Sequence, residues 1–84
     1  MYYASYNRGV AHYVQKHYEQ AMADFTKAIE GGEAGGYYGL ALTYEALHAP
    51  QKALKAYQQF VHLAPSGYEE ELQFARKRIE ALPK

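Results

Sequence analysis

The 84-residue sequence lacks cysteine and tryptophan, has only three prolines, and shows no excess of charge of either sign. Without cysteine, the chain has no disulfide framework, no thiol nucleophile and no thiolate metal site. Nine basic residues balance nine acidic ones, so the chain has no net field that would attract a nucleic acid or an anionic membrane. We therefore expect no nucleic-acid partner.

Long hydrophobic runs are also missing. No apolar run approaches the roughly 20 residues that span a bilayer, and the first residues, MYYASYNRG, lack the charged and apolar regions of a signal peptide. We expect a soluble chain without membrane insertion. A chain without cysteine folds in either redox compartment, so its localisation is open, with a cytoplasmic one favoured.

What the sequence does contain is tyrosine, at ten positions, within an apolar fraction of 49%. That fraction is typical of a folded chain, and 84 residues make one small domain. A tyrosine can pack its ring and still present its hydroxyl to water or to a partner. The composition predicts one folded domain with aromatic side chains available for contacts.

Most of the pattern of residues 7–29 returns 32 residues later. A repeat of that period usually marks a supersecondary unit that buries its apolar face by stacking on a copy of itself. The matched pairs are Tyr6 with Tyr38, Gly9 with Ala41, Ala21 with Ala53, Phe25 with Tyr57, and Ile29 with Val61.

Apolar residues at steps of three and four predict five helices, at about 2–15, 18–30, 37–47, 50–63 and 67–82. The absence of a capping residue before the first helix suggests a piece of a longer protein. The fifth helix has one apolar stripe on an otherwise charged surface, which is typical of a terminal cap.

Several residues predict where these helices begin and end. Gly31 and Gly32 end the second helix, and Gly35 and Gly36 belong to the flexible link beyond it. Pro50 fits the first turn of the fourth helix. A capping box formed by Ser66 and Glu69 opens the fifth helix.

The small and aromatic residues of the two units resemble the tetratricopeptide repeat, whose consensus has W-x2-L-G-x2-Y, then A-x3-F, then P. The second unit carries this pattern as Tyr37, Leu40, Ala41, Tyr44, Ala53, Tyr57 and Pro65. The first unit matches at Gly9, Ala21, Phe25 and Ala28, but Ser5, Arg8 and His12 replace the consensus aromatic, leucine and tyrosine. Phe60 stands where the family usually has alanine.

The resemblance implies an all-α fold: an α-solenoid of antiparallel helix pairs, with five helices forming a right-handed superhelical stub. Repeat one would cover residues 2–34, repeat two 35–66 and a capping helix 67–82, within a single domain of residues 1–84. Gly9 and Ala41 would leave notches for the bulky Phe25 and Tyr57.

The resemblance also implies that the first helix of each pair lines an inner groove. The groove positions are Tyr3, Tyr6, Asn7, Val10, Tyr13, Tyr38, Leu42, Glu45, Leu72 and Arg76. We interpret this surface as a binding site for an apolar or aromatic peptide, with Asn7 or Glu45 orienting the peptide backbone. Packing of the same tyrosines on neighbouring helices and self-association through them are the alternatives.

One subset of the family grips the C-terminal carboxylate of chaperones with a clamp of Lys, Asn, Asn, Lys and Arg. The corresponding residues here are Tyr6, Val10, Gly39, Glu69 and Gln73. None of them matches, so we expect no function of that type, because no fixed cation meets the carboxylate.

The sequence gives little support for metal binding, phosphate binding or catalysis. The four histidines lack the spacing of metal ligands, residues 31–36 lack the G-K-[ST] ending of a phosphate loop, and no nucleophile lies beside a base. We predict a protein-interaction scaffold that binds a peptide or protein segment, without catalysis, cofactor or metal. A homo-oligomerisation module and a structural segment of a larger multi-domain protein are the alternatives.

Overall fold

The computed structural model describes residues 2–83, with side chains described from Ala4 onward. It contains five helices: α1 Tyr2–Val14, α2 Tyr18–Glu30, α3 Gly35–Ala46, α4 Pro50–Leu63 and α5 Glu69–Ala81. Residues 2–83 contain no strand. The prediction of five helices in an all-α fold is confirmed, and the predicted bounds agree with the observed ones to within two residues.

The helices pack in the order in which they occur in the chain. α1 packs on α2, α2 on α3, α3 on α4 and α4 on α5, and α1 also contacts α3. Such neighbour-to-neighbour packing is the arrangement of a helical-repeat solenoid. The contact between α1 and α3 places the first helices of the two hairpins side by side.

Both hairpins turn through the same backbone geometry. Lys16 after α1 has a φ of 67°, and His48 after α3, 32 positions later, has a φ of 60°. In the first turn the N–H of His17 donates to the carbonyl of His12 at 2.8 Å, and the second turn contains the equivalent bond at 2.9 Å. This is the Schellman ending, which places a left-handed residue just after a helix. The sequence repeat is therefore also a repeat of backbone geometry.

The connection between α2 and α3 is shorter than predicted. Gly32 has a φ of 94° and follows α2 as expected, but Gly35 and Gly36 are buried, lack a positive φ and begin α3. A Cβ on Gly36 would lie only 2.6 Å from the carbonyl oxygen of Phe25. The assignment of Gly35 and Gly36 to a flexible link is wrong, because their missing side chains allow α3 to start close against α2.

The capping box predicted for α5 does not form. α5 begins at Glu69, after Tyr68, with no side-chain capping bond. Gly67 has a φ of 106°, which turns the chain between Ser66 and the helix. The Glu69 carboxylate instead accepts a hydrogen bond from the Gly67 N–H at 3.2 Å.

Phe25 of α2 packs between the two hairpins. Its side chain is 1% exposed, and a Cβ added to Gly9 or Gly39 would lie 2.8 or 2.3 Å from its ring. Both α1 and α3 therefore lack a side chain where the ring sits. The predicted notch at Gly9 is confirmed.

A second cluster of buried side chains joins α3, α4 and α5. Tyr57 and Phe60 of α4 are fully buried, and the Phe60 ring lies 5.1 Å from that of Tyr38 and 5.4 Å from that of Tyr68. The phenylalanine that departs from the consensus thus packs between Tyr38 of α3 and Tyr68, which directly precedes α5.

Candidate functional site: the surface formed by α1, α3 and α5

One surface of the molecule is built from the first helix of each hairpin and from α5, with α2 and α4 packed behind it. We call it the groove face. Its described members are Tyr6, Asn7, Val10 and Tyr13 of α1, Tyr38, Leu42 and Glu45 of α3, and Glu71, Phe74 and Arg78 of α5.

Three half-buried tyrosines occupy the groove face. Burial raises the pKa of Tyr6, Tyr13 and Tyr38 above the ordinary tyrosine value. The Glu71 carboxylate raises the pKa of Tyr6 and Tyr38 further, and Tyr18 and Glu45 do so for Tyr13. All three phenols are therefore neutral at physiological pH and can both donate and accept hydrogen bonds.

The side of α5 that meets α3 carries Glu71, Phe74 and Arg78, which are spaced three and four residues apart. The Phe74 ring lies 6.2 Å from that of Tyr38 and 6.3 Å from that of Tyr57, in edge-on geometry, yet 41% of Phe74 is exposed. Sequence reasoning missed Phe74, although its helical spacing to Glu71 and Arg78 is visible in the sequence.

The two α5 residues predicted for the groove lie elsewhere around the helix. Leu72 packs against the cluster of buried side chains, and Arg76 is exposed without an ion pair among the described residues. Their contact with a peptide stays a prediction. The predicted and observed residues of α5 differ because successive residues of a helix are rotated by about 100° around its axis. An error of one or two positions in the predicted register therefore selects another face of the helix.

Glu45 already has three hydrogen bonds. Arg78 donates to its two carboxylate oxygens, at 3.0 Å from Nε and 2.5 Å from Nη2, and the Tyr57 hydroxyl donates to Oε1 at 2.6 Å. The Arg78 bonds are the main cause of the lowered pKa of Glu45. Glu45 therefore joins α3, α4 and α5, and its predicted contact with a peptide backbone stays a prediction.

The remaining predicted groove residues differ in exposure. Asn7 and Val10 are exposed and Leu42 is half-buried. The side chain of Tyr3 lies outside the described part of the structure. Tyr6, Asn7, Val10 and Tyr13 thus lie on α1 and Tyr38, Leu42 and Glu45 on α3, which contacts α1, and the groove formed by these residues stays a prediction.

The groove face ends near the start of α3. There the Tyr68 hydroxyl donates a hydrogen bond to the Glu33 carboxylate. A Cβ on Gly35 would lie 2.6 Å from that hydroxyl and 3.1 Å from the Tyr6 ring. Gly35 therefore permits the close approach of Tyr68 and Tyr6 beside Glu33.

Two of the three polar residues that depart from the consensus in the first hairpin, Arg8 and His12, lie beside one buried acid. Asp24 is 6% exposed, and Arg8 donates to its two oxygens at 3.0 and 2.9 Å. The His12 Nε2 atom lies 3.8 Å from Asp24. The hydrogen bonds from Arg8 are the main cause of the lowered pKa of Asp24. These residues connect α1 to α2 away from the groove face.

This polar cluster does not resemble a metal centre. Across residues 2–83, no three His, Cys, Asp or Glu side chains are grouped so that they could hold a metal ion.

Residues 2–30 match the family model of the tetratricopeptide repeat. The match covers α1 and α2, which form the hairpin with the polar departures from the consensus. No curated protein sequence matches the chain. Within residues 2–83, every helix is too short or too polar to cross a membrane.

Proposed function

The chain carries a tetratricopeptide repeat in an all-helical solenoid, a kind of module that generally mediates protein–protein interaction, and we propose that its groove face binds a peptide segment of a partner protein. The proposal includes no catalytic step. Aromatic rings supply the contact area, and tyrosine hydroxyls and the Asn7 amide supply hydrogen bonds to the peptide backbone.

The placement of exposed apolar side chains carries this proposal. Val14, Leu47 and Leu63 are exposed at or just beyond helix ends, where chain turns commonly leave them in water. Val10 and Phe74, at 38% and 41% exposure, instead lie in the middle of α1 and α5. Together with the half-buried tyrosine rings of α1 and α3, they supply apolar surface on the helices of the groove face, and contiguous exposed apolar surface marks contact sites.

An arrayed library of random 12-residue peptides tests the proposal. We expect the full chain to bind a subset of these peptides, and we expect Phe74→Ala and Tyr38→Ala to lose most of that binding. Gln73→Ala is the matched control, because Gln73 is exposed on the same helix but points about 100° away from Phe74. Equal binding by all four proteins would refute the proposal.

Homo-oligomerisation through the same surface is the alternative. Light scattering over a concentration series separates the two functions. A mass that rises with concentration in the wild type and not in Phe74→Ala supports self-association, whereas a constant monomer mass supports a heterologous peptide.

A further inference from the structure

We propose that the groove face selects peptides that carry a basic side chain, with arginine preferred to lysine, next to an apolar residue. This inference rests on the proposed peptide-binding function and names the chemistry of the peptide. It follows from the charges on the groove face and from the rings beside them.

Glu71 is a half-buried carboxylate one helical turn before Phe74, whose ring centre lies 6.2 Å from that of Tyr38. Among the described residues it has no hydrogen bond and no ion pair. Its negative charge raises the pKa of the Tyr6 and Tyr38 hydroxyls. A cation from a peptide would give Glu71 the charge partner that no described residue supplies.

The described basic residues on the helices of the groove face lie away from Glu71 or are already paired. α3 contains no basic residue, and Arg8 of α1 is bound to Asp24. On α5, Arg78 is bound to Glu45, and helical geometry places Arg76 and Lys77 about 140° and 120° around the axis from Glu71. With Arg78 and Glu45 neutralising each other, the groove face has a net negative charge.

The aromatic rings beside Glu71 favour the same ligand. The Tyr38 and Phe74 rings meet edge-on, and Phe74 is partly exposed. A cation is attracted to the face of such a ring while a carboxylate neutralises its charge. Guanidinium both stacks on aromatic faces and forms paired hydrogen bonds with a carboxylate, so arginine is favoured over lysine.

The experiment uses peptides that the library selects with the full chain and whose binding depends on Tyr38. We expect these peptides to be enriched in arginine and lysine and depleted in aspartate and glutamate. For the tightest one, replacement of arginine by the neutral isostere citrulline should weaken binding about tenfold. Glu71→Gln should weaken binding of the arginine peptide by a similar factor and leave the citrulline peptide unchanged.

Glu80→Gln is the matched control, since Glu80 is exposed on the same helix and lies about 180° around its axis from Glu71. We expect it to change the dissociation constant by less than about twofold. Tyr38-dependent peptides without basic enrichment, or equal effects of Glu71→Gln and Glu80→Gln, would overturn this inference and leave peptide binding standing. A library without any Tyr38-dependent peptide would overturn the proposed function, and this inference with it.

Discussion

The ring of Phe25 occupies the space that a side chain at Gly39 would need: a Cβ there would lie 2.3 Å from the ring atom Cε1. The two residues belong to different hairpins, so this fit determines how closely the hairpins stack. Close-packed interiors do not absorb an added methyl group at such a distance without a shift of backbone or ring.

We therefore predict that Gly39→Ala destabilises the protein by about 1–3 kcal/mol, although glycine-to-alanine changes inside helices usually stabilise. Urea unfolding followed by circular dichroism measures the effect. In a Phe25→Leu background the smaller side chain leaves room, so the same change should cost less. A Gly39→Ala variant as stable as the wild type would contradict the described packing.

The left-handed residues at the two hairpin turns give a second prediction. Lys16 and His48 have φ values of 67° and 60°, a conformation that costs most L-residues about 1–2 kcal/mol and glycine little. Glycine also loses more entropy on folding, so Lys16→Gly and His48→Gly should each stabilise the protein by about 0.5–1 kcal/mol. Thermal unfolding measures this change.

Gln58→Gly is the control for these turn variants, because Gln58 is exposed within α4. Glycine there should destabilise by about 1 kcal/mol. If all three glycine variants lose stability equally, the left-handed turns are not the source of strain.

The glycines also show how far the sequence predicts the fold. Helical spacing predicted α2 and α4 closely, because Gly31 and Pro50 mark ends that local backbone preferences determine. The same local logic failed at Gly35 and Gly36, where the missing side chain serves the packing of α3 on α2. That use of glycine depends on the path of another helix, which no local pattern contains.

The candidate site was also predicted only in part from the sequence. The tyrosines of α1 and α3 follow from the repeat, so Tyr6 and Tyr38 occupy equivalent positions on adjacent helices. α5 is not part of the repeat, and its rotation against α3 was not predicted, so Phe74 was missed. The pairing of Arg8 with Asp24 spans 16 residues and depends on how α1 crosses α2.

Stability should depend on pH through Asp24. Its pKa is lowered by the hydrogen bonds from Arg8, with smaller effects from the charges of His12 and Lys27. A carboxyl group whose pKa is lower in the folded state stabilises the fold above its unfolded pKa of about 3.9. That stability is lost as the pH falls through the folded pKa.

We predict that Arg8→Gln lowers the melting temperature at pH 7 more than Arg76→Gln does, since Arg76 is exposed and has no described ion pair. As the pH falls through the lowered pKa of Asp24, the carboxylate is protonated and the Arg8 bond loses its charge in the wild type as well, so the difference between the two variants should shrink in acid. A difference that is the same at pH 7 and at pH 3 would show that the ion pair is not its cause.

The ion pair between Arg78 and Glu45 should help to hold α5 against α3. Arg78→Met removes the hydrogen bonds that join α5 to Glu45, and partly exposed ion pairs contribute about 0.2–1 kcal/mol. Amide exchange in α5 should then be faster, by up to about fivefold, with α1 and α2 unchanged. Lys77→Met, at the exposed neighbouring position, should leave exchange in α5 unaltered.

Arg78→Met also tests whether α5 contributes to peptide binding or only covers the end of the solenoid. Without Arg78, the Glu45 carboxylate keeps the bond from Tyr57 but loses its cation, so the groove face gains one unneutralised negative charge. A selected arginine peptide should therefore bind Arg78→Met more tightly than wild type, even though α5 is held more loosely. If α5 only covers the end of the solenoid, the Arg78→Met change should weaken peptide binding or leave it unchanged. Fluorescence anisotropy titrations of the labelled peptide with the wild type and with Arg78→Met measure the two dissociation constants.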